Sequence, residues 1–246
     1  MRRFFVPTNT LTGPEVSLPP ELARRLASVL RLKPGERIVL ADGNGRDHEV
    51  ELVSVSSRAA TAVMLSERPS PPEPAVEVVL YQSLIRPQRF DLVLEKGTEL
   101  GVARFLPLIT ERVQVKTGGG SQRAERWRRI VTEAAEQCER GRVPAVGAPV
   151  RFAEAVASAP GLKLLLWEEE RSTGLRSALA ALSERPSTVS LFIGPEGGFS
   201  PEEAALARGA GCATVSLGPR VLRSETAGIV AAALVMDAVG EGAGRG

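Results

Sequence analysis

Two glycine-containing segments in the C-terminal third of the chain hold the residues best suited to chemistry. The first, residues 194–200 (GPEGGFS), follows an apolar, β-branched run at 188–193 that predicts a buried strand. The second, residues 217–227 (LGPRVLRSETA), follows a second predicted strand at 213–217. A strand end, a glycine turn and a helix start form the usual ligand-facing edge of an α/β sheet. We therefore predict a small-molecule site built from both segments, the alternative being tight turns without a ligand.

The residue types in these segments restrict the ligand. Ser200, Pro201 and Glu203 predict a helix that begins with a capping box, and Ser224 is predicted to cap the last helix. Neither segment has the spacing of a P-loop or of a dinucleotide-binding turn, which argues against nucleoside triphosphates and NAD. Glu196 would repel a phosphate but suits a ribose hydroxyl or a cationic ligand.

Composition excludes several classes of protein. The 246 residues are 43% hydrophobic and 24% charged, as in an ordinary globular protein, and no apolar run is long enough to span a membrane. His48 is the only histidine, which argues against histidine-based zinc sites and Ser-His-Asp catalysis, so we expect no metal. Two isolated cysteines, Cys138 and Cys212, fit a reducing compartment, and we expect a cytoplasmic protein.

Charge points weakly to an anionic partner. The net charge is only +2, but residues 104–142 hold nine Lys and Arg against five Asp and Glu. Such a cluster fits either an RNA-binding patch or an ordinary solvated helix face.

Two domains are predicted, residues 1–70 and residues 71–246. The first has a helix at 19–32 and strands at 36–41, 47–55 and 59–65, with a hairpin signal at 42–45, and is interpreted as a small β-barrel. A proline-rich linker is predicted at 67–74, outside either core.

In the second domain strands alternate with helices, which predicts a mostly parallel sheet covered on both sides. The predicted strands are 76–81, 104–109, 162–167, 188–193 and 213–217, and the predicted helices are 88–100, 122–140, 174–182, 201 onward and 224–239. A flexible loop is predicted at 116–121, with Ser121 as a helix cap, and a frayed tail at 241–246.

The last predicted helix is apolar on every face between residues 227 and 236. Such a helix has to be buried all round. A subunit interface would complete that burial, and we favour it over a central helix packed wholly within its own domain.

The two segments together resemble the signature of the small-subunit ribosomal RNA uridine-N3 methyltransferases, a family of the SPOUT class that uses S-adenosylmethionine (SAM). The resemblance runs nearly end to end, with one small departure at Gly97-Thr98, where Ala-Thr is expected. Further matching stretches are residues 2–6, 29–32, 95–102, 111–112, 127 and 134–140.

This resemblance implies a fold and a set of ligands. It implies a PUA-like β-barrel that docks RNA, followed by a SPOUT α/β domain with a C-terminal trefoil knot, in a homodimer. The knot is an expectation of the family alone, since general topology rules argue against knots. The implied SAM-binding residues are Leu166, Ile193, Gly194, Glu196, Gly197, Gly198, Leu217, Gly218, Val221, Leu222 and Thr226.

For the reaction itself, Arg223 and Glu225 are the predicted catalytic residues. Uracil N3 is protonated at neutral pH, so a base or a group that stabilises the uridine anion is needed. Glu225 is the candidate base or proton acceptor, or only a helix-start carboxylate, and Arg223 the candidate partner of uracil oxygens or RNA phosphate. The predicted RNA-binding residues are Arg2, Arg3, Arg31, Arg112 and Arg140; Arg112, Arg140 and Glu99 are weaker candidates to act across a dimer interface.

Three other functions remain open at this point. The chain could be a SPOUT methyltransferase for another RNA position, such as a tRNA ribose 2′-OH. It could be an RNA-binding assembly factor that no longer catalyses, or, as a distant third, a nucleotide hydrolase.

Overall fold

The computed structural model describes residues 1–114 and 120–239, so most of the predicted loop at 116–121 and the predicted tail at 241–246 lie outside the described residues. The chain forms two units, and each is described by itself. The first comprises residues 1–73 and 135–143, and the second residues 74–134 and 144–246. The domain boundary at 70/71 stays a prediction.

The first unit is a five-stranded sheet with one short helix. Its strands are β1 (Arg3–Phe5), β2 (Glu15–Ser17), β3 (Arg37–Ala41), β4 (Arg46–Val55) and β5 (Ala60–Pro69), in the order β1-β3-β4-β5-β2. All pairs are antiparallel except β1 with β3. The helix α1 (Pro20–Arg24) continues as a π-helical turn, Arg25–Val29, that places Leu26 in the core.

The predicted hairpin at 42–45 joins β3 to β4. Asp42 accepts the main-chain N–H groups of Asn44 and Arg46, and Gly43 and Gly45 supply the positive φ angles that the turn needs.

The predicted linker at 67–74 is wrong at its start, because β5 continues to Pro69 and pairs with β4 along that length. Ser70 then donates a hydrogen bond to Asp47, and Glu73 binds Arg140. This proline-rich stretch therefore belongs to the first unit from residue 67 through residue 73.

The second unit is built on a parallel sheet, as predicted. Its strands are β6 (Glu77–Ser83), β7 (Arg104–Ile109), β8 (Ala145–Val146), β9 (Val150–Arg151), β10 (Leu162–Leu166), β11 (Thr188–Ile193) and β12 (Ala213–Val215). The order is β12-β10-β11-β6-β7-β8, with β9 also on β7, and every pair is parallel.

Five helices lie between these strands and a sixth follows the last strand in the described residues. They are α2 (Pro87–Glu99), α3 (Gly120–Gln137), α4 (Phe152–Ser158), α5 (Leu175–Ala180), α6 (Pro201–Gly209) and α7 (Ser224–Ala238). The short elements β2, β8, β9 and α4 were not predicted. Among the described residues, no helix is both long and apolar enough to cross a membrane.

Helices cover both faces of the central strands. Phe192 of β11 packs in a cluster with Phe152 of α4 and Ala204 of α6, and stacks on Tyr81 with ring centroids 4.4 Å apart. The next residue, Ile193, faces the opposite way, toward Gly228 of α7. This alternation follows from the two-residue period of a strand.

The last helix is not buried all round within the chain, which contradicts the alternative of a central helix packed wholly within its own domain. The favoured subunit interface stays a prediction. Gly228, Ala231, Ala232 and Val235 are buried. A stripe at helical spacing stays open: Thr226 is exposed, and Ile229, Val230 and Ala233 are partly exposed. The trefoil knot stays a prediction.

Candidate functional site

A cavity of about 340 Å³ lies where β10, β11 and β12 end. Three stretches line it: the end of β10 with the residues that follow it, the loop at 194–200, and the loop at 216–223. We call the last two the first and second ligand loops. Arg89 of α2, with Ser224 and Ala227 at the start of α7, completes the lining. The cavity is therefore at the carboxyl edge of the sheet, where parallel α/β folds bind ligands.

The first ligand loop is held firmly at its C-terminal end. Ser200 accepts the N–H of Glu203 (3.2 Å) and Glu203 accepts the N–H of Ser200 (3.0 Å), which confirms the predicted capping box. Phe199 is fully buried, with its ring 5.1 Å from that of Phe152. The loop thus enters α6 through a packed aromatic side chain and two reciprocal hydrogen bonds.

Gly198 is where this loop comes closest to the opposite wall of the cavity. Its φ of +69° is one that side chains rarely adopt, and an added Cβ would lie 1.6 Å from a carboxylate oxygen of Glu168. Glycine at this position lets the Glu168 carboxylate rest against the loop.

Arg112 supports the first ligand loop from the outside. Its guanidinium donates hydrogen bonds to the carbonyls of Gly197 (2.8 Å) and Phe199 (3.5 Å). Arg112 therefore has a structural partner in this loop, and its predicted contact with RNA stays a prediction.

The second ligand loop is far more open. Within it, Ser216 accepts the N–H of Gly218 and donates to its carbonyl, both at 3.2 Å. Residues 218–221 are exposed, and Val221 has 80% of its surface open to solvent. Its side chains are therefore available to a ligand in the cavity or to a larger partner beyond it.

The start of α7 connects both ligand loops to the sheet. Ser224, predicted as the helix cap, is instead the first helical residue; Arg223 is the cap and makes no side-chain capping bond. The Ser224 hydroxyl donates to the carbonyl of Gly194 and accepts from the buried amide of Gln82 (2.9 Å). The cap prediction was wrong because the hydroxyl is committed to these two partners.

Arg89 lies between two carboxylates at the cavity wall. Its guanidinium is 3.7 Å from Glu196 of the first ligand loop and 3.6 Å from Glu225 of α7. Glu225 is buried, with 6% of its surface exposed, and one of its carboxylate oxygens has no hydrogen-bond partner among the described residues. Glu225 does not itself line the cavity, whereas Arg89 does.

Glu170 fixes the stretch that follows β10. It accepts hydrogen bonds from the hydroxyl and N–H of Ser172, from the Thr214 hydroxyl of β12 and from the N–H of Thr173. These donors lower the pKa of the carboxyl to about 2, because each stabilises the ionised form. The wall of the cavity is thereby fastened to β12.

Nine of the eleven residues predicted for the cofactor line the cavity: Leu166, Ile193, Gly194, Glu196, Gly198, Leu217, Gly218, Val221 and Leu222. Gly197 and Thr226 do not. Gly197 sits against Arg112, and Thr226 is exposed on α7. Of the two predicted catalytic residues, Arg223 lines the cavity and Glu225 stands behind Arg89.

Two of the predicted RNA contacts in the first unit are buried and have partners within that unit. Arg3 is 6% exposed and binds Asp47 through two hydrogen bonds (2.7 and 2.9 Å), and Arg140 is 9% exposed and binds Glu73. These ion pairs help to hold the unit together, and the predicted contacts of Arg3 and Arg140 with RNA stay predictions. Arg2 and Arg31 are exposed.

The chain matches two family profiles. The profile described as the RNA methyltransferase domain covers residues 71–236, and the one described as the RNA methyltransferase PUA domain covers residues 24–65. The chain belongs to the RNA methyltransferase family. This family membership accounts for both the parallel sheet and the separate N-terminal sheet.

Two relatives are similar in sequence to this RNA methyltransferase over nearly its whole length. It is 34% identical to ribosomal RNA small subunit methyltransferase E of Synechocystis, covering 95% of this chain and 76% of that protein. It is 33% identical to the Mycobacterium bovis protein of the same name, covering 96% and 90%.

Two solved structures have a similar fold over nearly the whole chain. A methyltransferase from Legionella pneumophila in complex with SAM has a TM-score of 0.90 and 34% identity, covering 97% of this chain and 98% of that one. A Neisseria gonorrhoeae ribosomal RNA small subunit methyltransferase E bound to SAM has a TM-score of 0.86 and 34% identity, covering 96% and 97%.

Sequence reasoning missed Arg89, Glu168 and Gln82. Arg89 lies in the first turn of the helix that follows β6, and β6 pairs with β11. A basic residue at that position could therefore have been predicted to lie at the same edge of the sheet. Across the described ranges, no group of three His, Cys, Asp or Glu side chains is placed to hold a metal ion.

Proposed function

We propose that this chain is a SAM-dependent methyltransferase that modifies N3 of a uridine in small-subunit ribosomal RNA. The observation that carries the proposal is the cavity between the two ligand loops, in a chain that matches SAM-bound methyltransferase structures at TM-scores of 0.90 and 0.86.

The lining of the cavity fits SAM. Leu166, Ile193, Leu217 and Leu222 give an apolar slot for an adenine ring, with main-chain groups of both loops beside it. Glu196 and Glu168 offer acceptors for ribose hydroxyls or for the cofactor's ammonium group. Gly197 and Thr226, predicted for the cofactor but outside the lining, would contribute only indirectly, through the shape of the first loop and the start of α7.

Bound SAM supplies an electrophilic methyl group on a positively charged sulfur. The protein has to place uracil N3 in line with that methyl group, since positioning supplies much of the rate in such transfers. N3 forms the new bond to carbon and loses its proton, and the bond to sulfur breaks to leave a neutral thioether.

Arg223 is the catalytic residue we propose on the side of the RNA. It is exposed at the cavity and at the start of α7, and its guanidinium can donate to the uracil oxygens as negative charge develops on them. We assign the proton to Glu225, which has an unpartnered buried oxygen. Because Glu225 stands behind Arg89 and outside the cavity lining, this transfer would need one bridging water. A Glu225→Gln variant that keeps full kcat would remove Glu225 from this role.

RNA is held, on this proposal, by the first unit and by the cavity rim. Arg2 and Arg31 remain the candidates in the first unit. Replacing both with Ala should weaken RNA binding and flatten its salt dependence, because each phosphate contact adds to the salt slope, while SAM affinity stays unchanged. An unchanged salt slope would remove both residues from the interface.

We also propose a homodimer, and a cytoplasmic location where the ribosomal substrate is found. The partly exposed stripe of α7, Ile229, Val230 and Ala233, is the surface offered to a second copy. An Ile229→Asp variant should shift the protein toward monomers in light-scattering chromatography, because a carboxylate is costly to bury unpaired. An unchanged mass would place the dimer contact elsewhere.

The deciding experiment is methylation of small ribosomal subunits that lack the modification, with the product nucleoside identified by mass spectrometry. We expect 3-methyluridine. A ribose 2′-O-methylated product would favour the other SPOUT activity, and no SAM binding in calorimetry would favour an assembly factor without catalysis.

A further inference from the structure

We propose that Arg89 donates hydrogen bonds to an oxygen acceptor bound in the cavity, held in place by Glu225 from behind and by Glu196 at the rim. This inference rests on the proposed methyltransferase function and adds to it a ligand-contacting residue that the sequence motifs do not contain.

Arg89 has N–H donors available for a ligand. Its guanidinium makes two ion pairs, at 3.6 and 3.7 Å, which are too long for hydrogen bonds, and it donates no hydrogen bond to the residues that the structure describes. Its side chain is 30% exposed and lines the cavity. A guanidinium has five N–H donors in a planar fork, so several remain for a ligand.

Two carboxylates hold Arg89 in position. It lies in the first turn of α2, while Glu196 comes from the first ligand loop and Glu225 from the first turn of α7. Two carboxylates from different elements fix the position of the cation without saturating its donors. A charged donor fixed in this way, in a cavity partly shielded from water, stabilises an oxygen acceptor without having to reorganise.

Glu225 depends on Arg89 in turn. Its side chain is 8% exposed, and among the described residues Arg89 is the cation in ion-pair contact with it. Burying an ionised carboxylate costs free energy unless a cation is paired with it. The ion pair with Arg89 therefore stabilises the buried Glu225 carboxylate, while that carboxylate fixes the position of Arg89. Glu225 is then a positioning residue for Arg89, whichever group takes the N3 proton.

Two acceptors in the proposed reaction have the chemistry that Arg89 selects. One is the carboxylate of the methionine part of SAM, and the other is a uracil oxygen that gains negative charge as N3 reacts. Both are oxygen acceptors with full or developing negative charge. If Arg89 binds the carboxylate, it contributes to cofactor affinity; if it binds the uracil oxygen, it contributes to kcat.

The experiment compares Arg89→Met with wild type in two measurements. Calorimetry gives the Kd for SAM and for decarboxylated SAM, which lacks the carboxylate, and a methylation assay at saturating SAM gives kcat. If Arg89 binds the cofactor carboxylate, the variant should lose about tenfold or more in affinity for SAM and little for the decarboxylated compound. If it binds the uracil oxygen, both affinities should hold while kcat falls about 100-fold.

Three further variants separate contact from structure. Arg89→Lys should restore part of the lost function because it keeps the charge. If Arg89 binds the cofactor carboxylate, Glu225→Gln should reproduce part of the loss in SAM affinity, which proton transfer does not affect, and a double variant should bind SAM no worse than Arg89→Met alone. Arg104→Met is the matched control, since Arg104 pairs with Glu77 at the opposite edge of the sheet, and it should behave as wild type.

The inference is overturned if Arg89→Met leaves both affinities and kcat within about twofold of wild type, or if it weakens both compounds equally and lowers the melting temperature, which would indicate a structural role only. The wild-type assay separates this from failure of the proposed function: no 3-methyluridine from wild type rejects the function, whatever Arg89 does.

Discussion

The two ligand loops follow the same pattern in sequence but are packed very differently. Each begins at a strand end, contains glycine and leads into a helix, and both line one cavity. The first is fixed by the capping box, by buried Phe199 and by Arg112, whereas the second has an internal Ser216 turn and exposed residues 218–221. The first loop is therefore the more firmly held of the two, whereas the arginines of the second are exposed at the cavity, where we propose that Arg223 meets the substrate.

Arg223→Ala tests the second half of this comparison and should have the largest effect. We expect kcat to fall about 100-fold, because a donor to the developing uracil anion is lost. The Kd for SAM should change little, because the first loop is untouched. Steady-state kinetics with ribosomal subunits and calorimetry with SAM give the two numbers. A loss confined to SAM affinity would assign Arg223 to the cofactor.

Gly228→Ala tests the connection between the loops. An added Cβ would lie 2.6 Å from Oε1 of buried Gln82, whose amide holds Ser224 and through it the carbonyl of Gly194. We expect a loss of about 1–3 kcal/mol in the free energy of unfolding, since overpacking outweighs the gain in helix propensity. Weaker SAM binding should accompany it.

Chemical denaturation measures that loss, and Gly209→Ala at the end of α6 is the control, because nothing lies within 4 Å of its added Cβ. If the two alanine variants are equally stable, Gln82 does not constrain α7.

Ser200→Ala and Ser216→Ala compare the loops directly. Removing the capping hydroxyl should cost about 1 kcal/mol of unfolding free energy. Removing the hydroxyl of partly exposed Ser216, whose hydrogen bonds stay within the second loop, should cost less, about 0.5 kcal/mol. Thermal melts of both variants check the order. Equal losses would mean that the second loop is held as firmly as the first.

Glu170→Gln tests the attachment of the cavity wall to β12 and should have a defined pH dependence. Because the pKa is lowered to about 2 from an ordinary 4.5, the stabilisation by ionised Glu170 is complete above pH 4.5 and is lost as pH falls through about 2. The stability difference between wild type and variant should be constant near neutral pH and vanish toward pH 2. A constant difference over the whole range would remove the ionised carboxylate as its cause.

Much of this arrangement was readable in the sequence, because strong local signals and the family resemblance agreed. Strands at 104–109 and 188–193 were predicted with the bounds that the structure gives, and the capping box at Ser200 followed from residue types alone. Elements such as β8 and β9, with two residues each, are too short to show a repeating pattern and were missed.

What could not be predicted depends on contacts between residues distant in sequence. Ser224 fits the pattern of a helix cap, yet Gln82, 142 residues away, claims its hydroxyl. Arg3 belongs to a basic N-terminal stretch that suggested RNA binding, yet Asp47 takes its guanidinium into the interior. A residue type limits what a side chain can do, and the partner that the fold brings to it decides which of those roles it has.

Helix α7 has two roles along one length. Its first turn fastens Gly194 and Arg89 at the cavity, and its next turns carry the stripe of Ile229, Val230 and Ala233. If two copies associate through that stripe, cofactor binding and association become linked equilibria, and thermodynamics makes the linkage reciprocal. Whatever factor dimerisation adds to SAM affinity, SAM must add to the association constant, so cofactor concentration would itself help to set how much of the protein is paired.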